Sequence, residues 1–432
     1  MEPPPELVAC TTPHAAVAAA LAWIRARAPQ AWVRAAEDGG AAAVRRVRTP
    51  AEYREWYPAF AGSGLAVPTW PVAYGGLGWA LPLAAAAERA LRPYHLPRLN
   101  PLGLNLAAPA LFAFGTEEQR RRFLPPIVAD TEVWCQLFSE PGAGSDLASL
   151  ATRAEPDGDQ WRITGQKVWT TWAHLADYAV LLARTDPDVP KRAGLTYFLI
   201  ALDQPGVEIR PLRHLGGEVD FNEVFLSGAV VPDAQRVGAV NDGWRVARAT
   251  LSGERQMVSG SGSGGVDRIG GVGAGRLVRL AKERAAAVPG TGWDDPLVRA
   301  DVTRLWAEEQ LRAWTNQRVR ATVKAGRSPG PESSIGKVHG SDLNQRIQAR
   351  AAALLGPGRT TWTAPDDAWT DAVEAYPARM PAEVRGALRS RANTIEGGTT
   401  EVNKNIIAER VLGLPREPDP WEGKPWREVP RG

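Results

Sequence analysis

Residues 133–149 read VWCQLFSEPGAGSDLAS. An apolar, aromatic stretch the length of one strand runs into a loop with Gly142, Gly144 and three serines, Ser139, Ser145 and Ser149. Glycine lets the chain turn tightly there, so backbone N–H groups can approach an anion or the edge of a ring. An ordinary β-turn has the same composition, so the neighbouring sequence decides.

Downstream, WRITGQKVWTT, YAVLLART, LTYFLIAL, VEIRPL and FNEVFLSGAVVP are short, β-branched and aromatic, with turn residues between them. WRITGQKVW reads as a hairpin with Gly165 and Gln166 at its turn. Upstream, residues 15–130 are helical in pattern. HAAVAAALAWIRARA is Ala-rich, AEYREWYPAFAGSGL ends on glycines, and ALPLAAAAERALRPY stops near a proline. Thr116 is placed to cap TEEQRRRFLPPIV, with Glu117 and Glu118 in its first turn. After residue 241 the pattern is helical again, with a long amphipathic run at 294–326 and further helices near 341–355 and 401–412. Helices, then strands, then helices predict an α+β chain: an N-terminal α-helical domain over 1–130, a central β-barrel-like domain over 131–236, and a C-terminal helical bundle over 237–432. Residues 259–275, SGSGSGGVDRIGGVGAG, read as a linker or as a thin-walled stretch beside a bulky ligand. The proline-rich ends read as surface tails.

Composition narrows the function. The chain has 432 residues, 44% hydrophobic and 23% charged, which suits packed globular domains. Fifty-one Lys and Arg against 48 Asp and Glu give +3, too balanced a field to suggest nucleic acid as partner. Two cysteines exclude a disulfide scaffold and a four-cysteine zinc site. The five histidines show no HExxH-type spacing, so no metal is expected. No leader or membrane-spanning segment is evident, and a cytoplasmic location is expected. Seventeen tryptophans are many, and each can fill a core or lie against a flat ligand.

Three segments, EPGAGSD, GQKVWTT and IEGGTTEVNKNIIAERVLGLP, stand in an order and within an α–β–α plan that resembles the acyl-CoA dehydrogenase family. KVWTTWAH, DFNEVF and NDGWRVA look most like its bacterial branch acting on larger or sterol-side-chain acyl-CoAs. The resemblance implies FAD between the β domain and the C-terminal helices. It places the flavin-facing loop on Gln136, Leu137, Phe138 and Ser139, with the Ser139 hydroxyl at the pyrimidine edge. Trp169 would lie against the isoalloxazine, Thr170 beside it, and Thr171 near N5. Thr399, Thr400 and Glu401 match the segment that touches FAD at the start of the last helix. Ser145 matches a serine that contacts the CoA portion, and Arg255 and Gly398 fall on the substrate side.

The implied reaction removes an α-proton from a thioester and passes hydride from Cβ to flavin N5. It needs a carboxylate base in a dry site. Glu254, followed by Arg255, matches family members that carry the base on an earlier helix. Glu396 is the runner-up. Registering on Thr399 and Glu401 puts Gly397, a small residue, at the commoner base position. The resemblance also implies an electron-transfer flavoprotein as acceptor and a dimer or tetramer. The family's Arg-x-x-Phe-Gly stretch is missing from RAAAVPGTGWDDP, and its later Gly-Gly element reads LLGPGR. In the sterol branch such losses accompany mixed assemblies in which only some subunits hold FAD. Two alternatives therefore stand beside the dehydrogenase: a flavin oxidase or monooxygenase on the same fold, and a cofactor-poor partner subunit.

Overall fold

The computed structural model describes residues 3–258, 273–324, 330–360 and 380–430, with backbone only at 252–258, 320, 323–324 and 333. Most of the 259–275 segment lies outside the described residues.

The N-terminal part holds α1 (Pro5–Val8), α2 (Pro13–Arg27), α3 (Gln30–Val47), α4 (Pro50–Gly62), α5 (Leu81–Leu91), α6 (Ala108–Phe114) and α7 (Glu117–Ala129). Local chemistry sets several of their ends. Thr49 and Thr116 each close a capping box, with Glu52 and Gln119 as reciprocal partners. The rings of Trp23, Trp32, Tyr53, Trp56 and Phe60 pack among these helices. Many tryptophans are therefore core residues.

Among the described residues the strands are β1 (Trp134–Leu137), β2 (Arg153–Asp157), β3 (Gln160–Thr171), β4 (Tyr178–Arg184), β5 (Leu195–Ala201), β6 (Val207–Leu212), β7 (Phe221–Pro232) and β8 (Arg236–Val237). They pair in the order β6-β7-β3-β2-β4-β5-β8, with β1 parallel to β4. The expected hairpin is in a different place. β3 runs unbroken through Gly165 and Gln166, both paired with β7, and the turn into β3 falls at Gly158, where φ is +65°. Gly165 serves close approach instead: a Cβ there would meet Thr152 Cα at 2.7 Å.

Two buried amides tie the helical part to the sheet. Asn100 donates to the carbonyls of Ile127 and Glu132 and accepts from the N–H groups of Gly103 and Trp134, which fixes the start of β1. Gln119 donates to the carbonyls of Ala234 and Arg236. Each amide is engaged at both ends, so its burial carries little penalty.

The C-terminal part holds α8 (Gly243–Val258), α9 (Ala274–Ala287), α10 (Pro296–Lys324), α11 (Ser333–Leu354), α12 (Ala382–Arg389) and α13 (Thr400–Arg410). α8 lies against the sheet, where Thr250 Oγ1 pairs with the Tyr197 hydroxyl at 2.8 Å and donates to Leu106 O. Among the described residues no helix is long and apolar enough to cross a membrane.

Candidate active site

A cleft of about 1900 Å³ opens where the three parts meet. Gln136, Phe138 and Ser139 enter it from the end of β1, Trp169 and Thr171 from the end of β3, and Gly397, Gly398 and Thr399 from the turn before α13. Ser145 lies on its rim. Leu137 alternates inward and is fully buried.

The β3 wall depends on one irregularity. Residues 161, 163, 165 and 167 face inward by strand alternation, and the same parity would put Trp169 in the core. Between Lys167 and Thr170 the register slips by one against β7. The extra residue reverses the parity, so Thr170 is buried and Trp169 and Thr171 turn to the cleft. Trp169 takes a φ of +60° and is 56% exposed, although it is the largest side chain available. A left-handed non-glycine residue costs about 1–2 kcal/mol, so the fold holds this indole out of the core against a local penalty. Phe221 supports it edge-on at 5.7 Å.

A buried ion pair holds the facing loop. Lys167, fully buried, donates to Phe138 O at 3.0 Å, Leu182 O at 2.9 Å and Glu140 Oε1 at 2.8 Å. Glu140 also accepts from the N–H groups of Ala151 and Thr152, and Val168 N–H donates to Ser139 O. Burial pushes the Glu140 carboxyl up, but Lys167 and these donors outweigh it and hold it below its ordinary value. Sequence reading had missed Lys167 and Glu140. The signal was present, since Lys167 has the parity of Trp161 and Ile163.

The C-terminal turn is also braced. Gly397 and Gly398 have φ of +64° and +85°, a pair of left-handed residues that glycine adopts without strain. Thr399 caps α13, its Oγ1 accepting from Val402 N–H at 3.1 Å. Thr400 Oγ1 is buried with no partner among the described residues. Glu401 is exposed, and Thr170, Thr400 and Glu401 do not line the cleft, so they stay apart from the other expected residues. Glu396 reaches the cleft wall, but Arg389 grips its carboxylate at 2.9 and 3.2 Å and Asn393 donates to it at 2.8 Å. Asn393 is itself held by Lys337, Ser341 and Asn344 of α11. Glu254 and Arg255 belong to the backbone of α8, three and four residues beyond Leu251, which lines the cleft. Their side chains lie outside the described residues.

His214, Glu218 and Asp220 come together beside the cleft, with His214 Nε2 3.5 Å from each carboxylate. Gly216 N–H donates to His214 Nδ1 at 2.9 Å. In the neutral ring the proton is therefore on Nε2, which is buried facing the carboxylates and makes no hydrogen bond among the described residues.

These residues fit a flavin. An exposed indole and hydroxyls at Ser139, Thr171 and Thr399 surround a cleft large enough for a ring system and a second ligand.

Comparison with known proteins agrees. The N-terminal, middle and C-terminal domains of acyl-CoA dehydrogenases match residues 27–131, 135–228 and 241–412. Acyl-CoA dehydrogenase IpdE1 of Mycobacterium tuberculosis is 43% identical over 85% of this chain and 89% of its own. The solved Tcur3481-Tcur3483 steroid ACAD superposes with a TM-score of 0.68 at 29% identity, over 94% of this chain and 99% of that one. The ChsE4-ChsE5 complex from Mycobacterium tuberculosis gives 0.67 at 27%, over 95% and 100%. The similarity runs to the bacterial steroid branch, as the KVWTTWAH and NDGWRVA segments suggested. With all three domain models matched in order along one chain, this protein belongs to the acyl-CoA dehydrogenase family.

Proposed function

We propose that this chain is an FAD-dependent α,β-dehydrogenase of a large, polycyclic or branched acyl-CoA, working in the cytoplasm and passing electrons to an electron-transfer flavoprotein. The observation that carries it is the reversed parity of β3. That reversal brings Trp169 and Thr171 into one cleft with Ser139 and with the Gly397–Gly398 turn. Bound flavin supplies the acceptor for the hydride.

The chain's own residues do the rest. Trp169 covers one side of a planar group, and the Ser139 and Thr171 hydroxyls donate to its polar edge. Ser145 on the rim holds the CoA portion. Glu254 takes the α-proton, and Arg255 follows it in the chain. Glu396 is the weaker candidate because Arg389 and Asn393 already engage its oxygens, and the small Gly397 leaves room at the turn. The large cleft supports a bulky acyl group. α10 leaves Leu297, Trp306, Leu311 and Trp314 exposed, apolar area that a second chain can cover in a dimer or tetramer.

The test is the visible spectrum of the purified chain. A flavin spectrum is expected, at about one FAD per active subunit, with anaerobic bleaching by a steroid-derived acyl-CoA. A folded, colourless protein that ignores added FAD would overturn the reading in favour of a partner subunit.

A further inference from the structure

The segment after α13 is exposed over most of 411–424, as expected of a surface tail, but its end is pinned to the β domain. Beyond the last residue matched by the family's C-terminal domain, Leu412, the chain crosses to the β domain and docks beside the loop that carries Ser145. Trp426 is the anchor and is 9% exposed. Its Nε1–H donates to Ser149 O at 3.1 Å, and its backbone N–H donates to Val189 O at 2.9 Å. Arg427 N–H donates to Pro187 O, its guanidinium pairs with Asp188 at 2.6 Å, and Pro425 bridges Pro190.

The indole covers Arg184, whose Cζ lies 4.3 Å from the ring centre. Arg184, 3% exposed, ends β4 and ties two loops together. It donates to the carbonyls of Ala148 and Leu150 on one side and to Lys191 O on the other. Lys191 Nζ in turn holds Asp146, which also accepts from the Ser149 hydroxyl. Ser145, Asp146, Leu147, Ala148 and Arg192 are the parts of these loops that line the cleft. Trp426 therefore closes a chain of contacts that ends on the rim without touching the cleft itself.

We infer that Trp426 and Arg184 are positioning residues for the CoA portion of the substrate: the docked C-terminal segment orders the 145–149 and 187–192 loops into one binding rim. The inference rests on the acyl-CoA reading above. An aromatic face on a buried guanidinium and a charge-assisted fan of carbonyl bonds give the rim a single geometry. Loosening it lowers affinity for the part of the ligand that lies on the rim and leaves chemistry deeper in the cleft intact.

The test compares two thioesters of one acyl group, the CoA ester and the N-acetylcysteamine ester, which lacks the nucleotide and most of the pantetheine arm. In Trp426→Ala, kcat/KM for the CoA ester should fall about ten-fold through KM, with flavin content and the N-acetylcysteamine value unchanged, a loss equivalent to about 1.4 kcal/mol. Trp426→Phe keeps the ring over Arg184 but loses the bond to Ser149, and should lie between. An equal loss for both esters, or none for either, overturns the inference. Should Trp426→Ala fail to fold, the Phe variant alone decides by the same ratio. Failure of the unaltered protein to oxidise either ester would instead overturn the function proposed above.

Discussion

Lys167 Nζ lies 2.8 Å from Glu140 Oε1 with the lysine fully buried and the glutamate nearly so. The pair joins the two segments that form the expected flavin wall, since Lys167 precedes the bulge at Trp169 and Glu140 follows Ser139. Removing one partner leaves the other charge buried and unpaired, which typically costs about 3–5 kcal/mol. Lys167→Met should therefore lower unfolding stability by that order in urea titration and release the loop from β3. Acid should act in the same direction. The Glu140 carboxyl is held below its ordinary value, so its contribution is present above the unfolded value, about 4.3. It is lost as pH falls through the folded one. The unaltered protein should lose stability below about pH 4 more steeply than Glu140→Gln. Parallel curves would show that the pair is not held as a charged contact.

Trp169 makes opposite forecasts for stability and for cofactor retention. Its φ of +60° suits glycine, and its exposed ring gives up little burial when removed. Trp169→Gly relieves about 1 kcal/mol of backbone strain and loses an edge contact with Phe221 worth about 0.5–1.5 kcal/mol. The flavin-free protein should keep its melting temperature to within a few degrees, while FAD retention falls. A large fall in the melting temperature of the flavin-free variant would mean that the indole is a core residue after all.

The three-part plan was legible because helix and strand periods change near residues 131 and 241, and strand and loop composition do not mimic an amphipathic helix. The loop after Ser139 was legible through its glycines, whereas the segment at Gly397 was placed only by its resemblance to the family. The bulge was not. Alternation along β3 assigns Trp169 to the core, and only pairing with β7, some fifty residues away, reveals the extra residue. The hairpin was misplaced for a related reason. Gly165 was read as a turn glycine, but the feature that demands glycine there is Thr152 on another strand. The docking of Trp426 was equally hidden, because its partners Ser149, Arg184 and Val189 are remote in sequence.

Gly165 offers a direct check on that correction. A turn glycine with positive φ accepts Asn readily, whereas a glycine inside a crowded ladder rejects any side chain. Gly165→Ala would drive a methyl group into Thr152 and should cost about 1–3 kcal/mol, the usual penalty for overpacking. Gly165→Ala combined with Thr152→Ala should recover part of the loss, because alanine removes Oγ1, the nearest contact, and leaves Cα and Cβ in place. Thermal unfolding of the two variants measures this. A neutral Gly165→Ala would return the residue to an exposed turn.

The proton acceptor is the sharpest test of the proposed chemistry. Glu396 is engaged by Arg389 at both oxygens and by Asn393 at one, and Asn393 is fixed in turn by Lys337, Ser341 and Asn344. A carboxylate held this way orders the turn before α13 and is poorly placed to approach an α-carbon. Glu396→Gln should keep a hydrogen bond to Arg389 or Asn393, so it should weaken the turn and flavin retention modestly while the flavin still bleaches with substrate. Glu254→Gln should bind FAD and acyl-CoA but fail to bleach, because glutamine matches the size of glutamate and cannot take the proton. Loss of a general base typically costs about 10²–10⁴-fold. Arg255→Lys should fall between, since lysine keeps the charge and loses the planar fork that orients a carboxylate. Anaerobic stopped-flow reduction separates these outcomes. Collapse in Glu396→Gln with normal bleaching in Glu254→Gln would move the base to the C-terminal turn and require Arg389 to release it. Normal bleaching in both would leave the reaction without either carboxylate as its base.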